Sequence, residues 1–289
     1  MRELAAFSMR GPRQAAIAAT ILTLIPMLFW LGAAILALVT LRQGLEKGLA
    51  VFVWAIIPAL GWWFGLQDPS AAVVLLTTWL MAGVLRSTVS WHGTMMAGFA
   101  LSAVAGALVP VIMPETVEML TQVLSDLLLQ MAEQSPEVGG TLGPEHFDQL
   151  KSLMVASFAA SFYGMAIGAL CLGRSWQSAL YNPGGWREEF HSLRLNPLTM
   201  AALLLSSWVG PIIGIDGVML AICATVPILL CGFALVHGLI GKKKLGGQWL
   251  FGFYVLVVIL FPTFLFVLYA LAIVDSIVDI RRRVQPASE

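Results

Sequence analysis

Charge is what this sequence has least of. Its 289 residues carry 16 basic and 16 acidic side chains, 11% of the chain with a formal net charge of zero, where a soluble domain of this size is about a quarter charged. Cysteine is also scarce. Cys171, Cys223 and Cys231 all lie inside apolar stretches, with no CxxC pair or Cys/His cluster, which excludes a zinc site and a disulfide framework. Ionisable groups in or beside the apolar stretches are limited to Arg86, Asp216, His237 and Asp275. All four fall near predicted segment ends, where such side chains anchor at the interface; interior ones would suggest an ion path. No nucleophile–base pair or metal-ligand spacing is present, so neither an enzyme nor a cofactor is expected. No nucleic-acid partner is expected either.

What the chain has instead is 59% hydrophobic residues. They run continuously rather than alternating with polar ones, which excludes a membrane barrel and predicts helices long enough to cross a bilayer core of roughly 30 Å. The expectation is an all-α, polytopic transmembrane bundle forming a single domain over residues 1–289, with the lipid bilayer as its first partner. Apolar segments fall near 15–28, 29–41, 48–66, 70–85, 93–113, 153–173, 198–213, 216–240 and 249–274. The first two read as a short hairpin turning near Pro26. Arg2, Arg10 and Arg13 precede them as in a signal sequence, but 15–41 is far longer than a cleavable core of 7–15 residues and is read as retained.

Basic residues alternate between connections. Arg42 and Lys47, Arg86, the stretch 174–197 and Lys242 to Lys244 fall on one side, whereas the segment 114–152 has seven acids and only Lys151. Basic connections stay cytoplasmic on insertion. Residues 174–197 are therefore expected as a cytoplasmic interfacial loop and 114–152 as an extracytoplasmic helical insertion. Nine crossings would put Arg281 to Arg283 outside; a break at Pro262 that returns the last segment would keep them inside, and that is the expectation. Within 114–152, apolar residues recur every three to four positions from Glu115 to Glu133, an amphipathic helix, before "SPEVGGTLGP" breaks it. Gly61/Gly65, Gly164/Gly168 and Gly98–Ser102–Gly106 are small-xxx-small patterns, expected where helices of the bundle pack closely.

"NPGGWREEFHSLRLNP" (182–197) is a charged island between apolar runs. As a helix it places Trp186, Phe190 and Leu193 on one face and Arg187, His191 and Arg194 on the next, suited to lying at the headgroups. Glu188 and Glu189 sit poorly beside an anionic leaflet. They are expected to be free for a protein contact, with the arginines of the tail or with an outside partner. Asp275 and Asp279 precede those arginines, with Asp279 and Arg283 in i, i+4 register. Of ten tryptophans, Trp62, Trp63, Trp91, Trp176 and Trp249 suit an interfacial belt. Trp30, Trp54, Trp79 and Trp208 lie deeper and are the candidates to line a ligand pocket.

Four stretches, "LVTLRQG" (38–44), "NPGGWREEFHSLRL" (182–195), "GFALVHGLIGKKK" (232–244) and "IVDSIVDIRRR" (273–283), together resemble the YybS-like family of bacterial inner-membrane proteins. The resemblance implies a distant similarity to the substrate-binding S-components of energy-coupling-factor vitamin transporters and to the cell-shape membrane protein MreD. It carries over no site residues, because the family's own are not established. An S-component-like function would mean a multi-pass protein of the bacterial inner membrane that binds a small organic molecule. With no ATPase signature in the chain, that function would require partner subunits. An MreD-like function would make it a scaffold for membrane or cytoplasmic proteins.

Overall fold

The computed structural model describes residues 1–134 and 144–285, with side chains outside 132–147. Every regular element among them is helical. Helix α1 (Arg2–Ser8) leads into the hairpin α2 (Pro12–Leu24) and α3 (Phe29–Gln43). Three long helices follow: α4 (Leu45–Leu66), α5 (Ser70–Thr88) and α6 (Trp91–Ile112). Then come α7 (Pro114–Gln134), α8 (Pro144–Tyr181) and α9 (Gly185–Ser192). The chain ends with α10 (Pro197–Val209) and its 3₁₀ extension Gly210–Ile213, α11 (Gly217–Lys242), α12 (Gly247–Ile259), α13 (Thr263–Val278) and α14 (Ile280–Arg283). Five helices, α4, α5, α6, α8 and α11, are long and apolar enough to cross a membrane, and α9 with α10 forms a sixth candidate bent by 63°.

The centre is built on α3 and α8. All residues of α3 from Gly32 to Leu41 are buried, as an all-apolar helix must be when it is enclosed by others. It packs against α2, α4, α5 and α8, while α8 also meets α6, α7 and α11. Backbones touch at glycines. A methyl on Gly173 of α8 would sit 2.7 Å from the Ala34 carbonyl oxygen, and one on Gly232 of α11 would sit 2.7 Å from that of Leu268. Gly98 faces Tyr163 and Met81, and Gly106 faces Met219 and Ala159, with no room for a side chain. Ser102 between them is buried, so that small-residue stripe packs as expected. Gly61/Gly65 and Gly164/Gly168 do not: a methyl at any of the four meets open space. Spacing marks a smooth helix face but not which way that face points.

Side-chain contacts sort the helix ends into two groups. Arg86 donates to the Leu41 carbonyl at 2.5 Å, Arg42 lies 4.3 Å over the Tyr181 ring, and Lys242 donates to the Arg281 carbonyl. These ends, with α1 and α14, form a basic end that includes Lys47 and the island. At the other end Trp62 Nε1 donates to the Thr23 carbonyl and Ser152 donates to Asp216. Among the described residues Lys151 is the one Lys or Arg at that end.

The expected break at Pro262 and the amphipathic helix are present, and one expected boundary changes. The apolar run 249–274 is two helices, α12 and α13, reversing at 260–262; Pro262 cannot donate to a continuing helix, and the return puts Arg281 to Arg283 at the basic end. Residues 174–197 are not a loop throughout, since 174–181 are the last turns of α8. The amphipathic helix within 114–152 is α7, and the break after it at 135–143 lies outside the described residues.

Candidate functional site

At the end opposite the basic one, α6, α8 and α11 separate around a cleft of about 740 Å³. Helix α6 lines it with Ala100, Ala103 and Ala107, whose short side chains leave the space between the helices unfilled. Val155 and Met219 complete an apolar wall. The mouth is polar: Asp148, Lys151, Ser152 and Asp216 rim it beside the backbone of Gly214 and Ile215. Asp216 is committed to structure. Its Oδ1 accepts from the Val218 and Met219 amides at 2.7 and 3.2 Å, capping α11, and its Oδ2 accepts from the Ser152 hydroxyl of α8. The rim is thereby held on two helices. The arrangement suits a small molecule with an apolar body and a polar head at the mouth.

None of the tryptophans expected to line a pocket reaches this cleft. Trp208, 78% exposed, and Trp54, 58% exposed, face outward, and Trp30 is 36% exposed. Trp54 edges a separate shallow groove of about 550 Å³ beside Arg13 and Ile17 of α2. Trp79 is the inward one of the four. It stacks on Phe52 at 5.5 Å between ring centres against Gly48, and its buried Nε1 has no hydrogen-bond partner among the described residues. The four do not converge. Of the expected belt, Trp91 and Trp176 are buried within the protein while Trp249 is exposed.

The basic end is a clamp. Glu189 of α9 accepts from Arg174 Nε at 3.0 Å and again from Arg174 Nη2. Trp91 Nε1 donates to the same carboxylate at 3.2 Å, so Glu189 ties α8 and α6 to the island. Trp186 packs on Trp91 and on Phe190, both at 5.2 Å, and Phe190 meets the His237 ring edge-on. Leu193 is buried. The face expected in lipid headgroups therefore packs on the bundle. Glu188 and Arg187 are exposed.

The tail meets the island through other groups than the glutamates. Arg194 reaches the Asp275 carbonyl and the Asp279 carboxylate, both at 3.2 Å. Arg281 donates to the His191 carbonyl at 2.9 Å and lies 3.6 Å from the Asp275 carboxylate. Asp275 is fully buried and also accepts from the Ile280 amide. Asp279 pairs with Arg282 at 3.1 Å rather than with Arg283. It adopts a left-handed conformation, φ +51°, that ends α13 and starts α14, so the i, i+4 register does not form. Burial lowers the proton affinity of Arg281, opposed by the Asp275 carboxylate. Burial also lowers that of His191, followed by the positive charge of Arg187.

Sequence reading missed Arg174, Trp91 and Lys242 as members of the clamp, and the alanines of α6 as the cleft. Asp216 and Lys151 were visible as isolated charges, and the run of small residues from Ala100 to Ala107 was the available sign of space. Among the described residues no group of His, Cys, Asp and Glu is disposed to hold a metal.

A helical bundle with several apolar spans, and with outward-facing Phe64, Trp208 and Ile212 about four-fifths exposed, is a multi-pass membrane protein. No protein-family model, curated protein or solved structure matches the chain.

Proposed function

We propose that this membrane protein binds a small, largely apolar organic molecule with a polar head in the cleft between α6, α8 and α11, as a substrate-binding or transport-related subunit. The observation that carries the reading is the cleft itself: an apolar wall of small residues below a polar rim whose Asp216 is already fixed by helix capping. In this reading the basic end is cytoplasmic, the cleft opens on the outer side at the end that carries α7, and the membrane is the bacterial inner membrane, as the YybS-like resemblance implies. Transport would need partner subunits to supply energy. Among the described residues no aromatic ring lines the cleft, so none of them offers a flat ligand a stacking partner there.

Ala103→Trp fills the cleft and should abolish binding while leaving the fold intact; Trp54→Ala should leave binding unchanged. Native mass spectrometry of the purified protein, with thermal-shift screening of metabolites, reads both. Full binding by Ala103→Trp would place the ligand outside this cleft, and no bound compound with the wild type would favour the second reading, a non-catalytic scaffold. One observation speaks for that scaffold. Met119, Val123, Leu127 and Met131 form an exposed apolar stripe on α7, each half exposed or more, of the kind that docks proteins.

A further inference from the structure

At the basic end, a second cleft of about 680 Å³ opens between α9, α11 and α14. Its walls hold four permanent cations, Arg194, Lys242, Arg281 and Arg282, against two carboxylates, Glu188 and Asp279. Two carboxylates, Asp279 and the buried Asp275, are already engaged by these cations, and Glu188 makes no ion pair among the described residues. Asp279 serves both Arg194 and Arg282, while Asp275 sits behind Arg281. Lys242 Nζ donates one hydrogen bond to the Arg281 carbonyl at 2.7 Å, which fixes the ammonium at the wall with donors to spare. Arg281 Nε is buried with no hydrogen-bond partner among the described residues. The His191 ring lies against Gly241, where Arg187 also approaches. Burial first, and then the positive charge of Arg187, lowers its proton affinity.

Donors thus come from three separate elements: the chain just after α9, the end of α11, and α14. A carboxylate presents two oxygens in one plane and suits a single guanidinium fork. A phosphate group presents oxygens in several directions and can accept from ammonium and guanidinium groups on different walls at once.

We propose that this cleft binds the phosphate group of an anionic ligand, either the headgroup of a lipid in the adjacent leaflet or a soluble phosphate ester. The site is independent of the apolar cleft at the other end.

The test uses the full chain in phosphatidylcholine nanodiscs. One arm adds phosphatidylglycerol to the bilayer and the other adds glycerol 1-phosphate in solution, each read by thermal unfolding and by native mass spectrometry. Stabilisation by phosphatidylglycerol alone assigns the site to a lipid headgroup; stabilisation by glycerol phosphate as well assigns it to a soluble ester. Lys242→Gln and Arg282→Gln should each weaken the effect about tenfold, the size of one lost charge-assisted hydrogen bond. The Arg282 side chain is 88% exposed, so its variant folds even if Lys242→Gln does not. Lys244→Gln removes the same charge outside the cleft and should leave binding intact. No stabilisation by either phosphate, or an equal loss with Lys244→Gln and Arg282→Gln, overturns the proposal.

Discussion

Glu189→Lys is expected to destabilise the protein by about 3 kcal/mol, and Glu188→Lys by less than about 0.5 kcal/mol. The two residues are neighbours in sequence, yet only Glu189 has its carboxylate turned into the bundle. Its substitution strands Arg174, whose side chain is 16% exposed, together with the Trp91 indole N–H, and then adds a like charge beside the guanidinium. Removing one partner of a buried ion pair costs more than the pair contributes, because the remaining charge is left desolvated. Partial exposure of Glu189 itself, 34%, lets water moderate the loss. The double variant Arg174→Gln/Glu189→Gln should therefore recover much of the stability lost by Glu189→Gln alone. Equal destabilisation by the two lysine substitutions, measured by thermal unfolding in detergent, would show that the clamp does not form.

The other large effect is expected at a glycine outside the most conspicuous motifs. Gly173→Leu should cost about 3 kcal/mol or prevent folding, since overpacking a close contact forces the helices apart. The neighbouring atoms are the Ala34 carbonyl oxygen at 2.7 Å and the Leu38 nitrogen at 3.1 Å, which belong to the α3 backbone and cannot rotate away. Gly164→Leu and Gly168→Leu, on the same helix, should be near neutral, because the added side chain points into open space. Yield of monodisperse protein and its thermal midpoint distinguish the three. Neutral behaviour of Gly173→Leu would contradict the packing of α3 against α8.

The class of fold was legible because lipid imposes a simple requirement: long apolar runs and a one-sided distribution of basic residues. The hairpin at Pro26 and the reversal at Pro262 could be read for the same reason, as proline interrupts a helix by local chemistry. Side-chain direction was not legible. Gly164 and Gly173 look alike in sequence, and so do Glu188 and Glu189; only the rotation of α8 and of α9 about their axes decides which member is buried. The tryptophans misled for a related reason. In a soluble protein a deep tryptophan is an interior one, but Trp54 sits in mid-helix and Trp208 at the end of α10, and both face outward. The cleft was hardest to read, because a pocket made by Ala100, Ala103 and Ala107 is defined by atoms that are missing.

The most direct measurement concerns the two ends of the bundle. Single cysteines at Asp148, on the rim of the apolar cleft, and at Ser192, on the clamped island, are placed in a version whose three native cysteines are replaced. Labelling by a membrane-impermeant maleimide is compared in intact and permeabilised cells. The expected result is that Asp148→Cys labels in intact cells and Ser192→Cys only after permeabilisation. The reverse pattern, or both positions labelling alike in intact cells, would contradict a cleft that opens outward from a bundle closed by a cytoplasmic clamp.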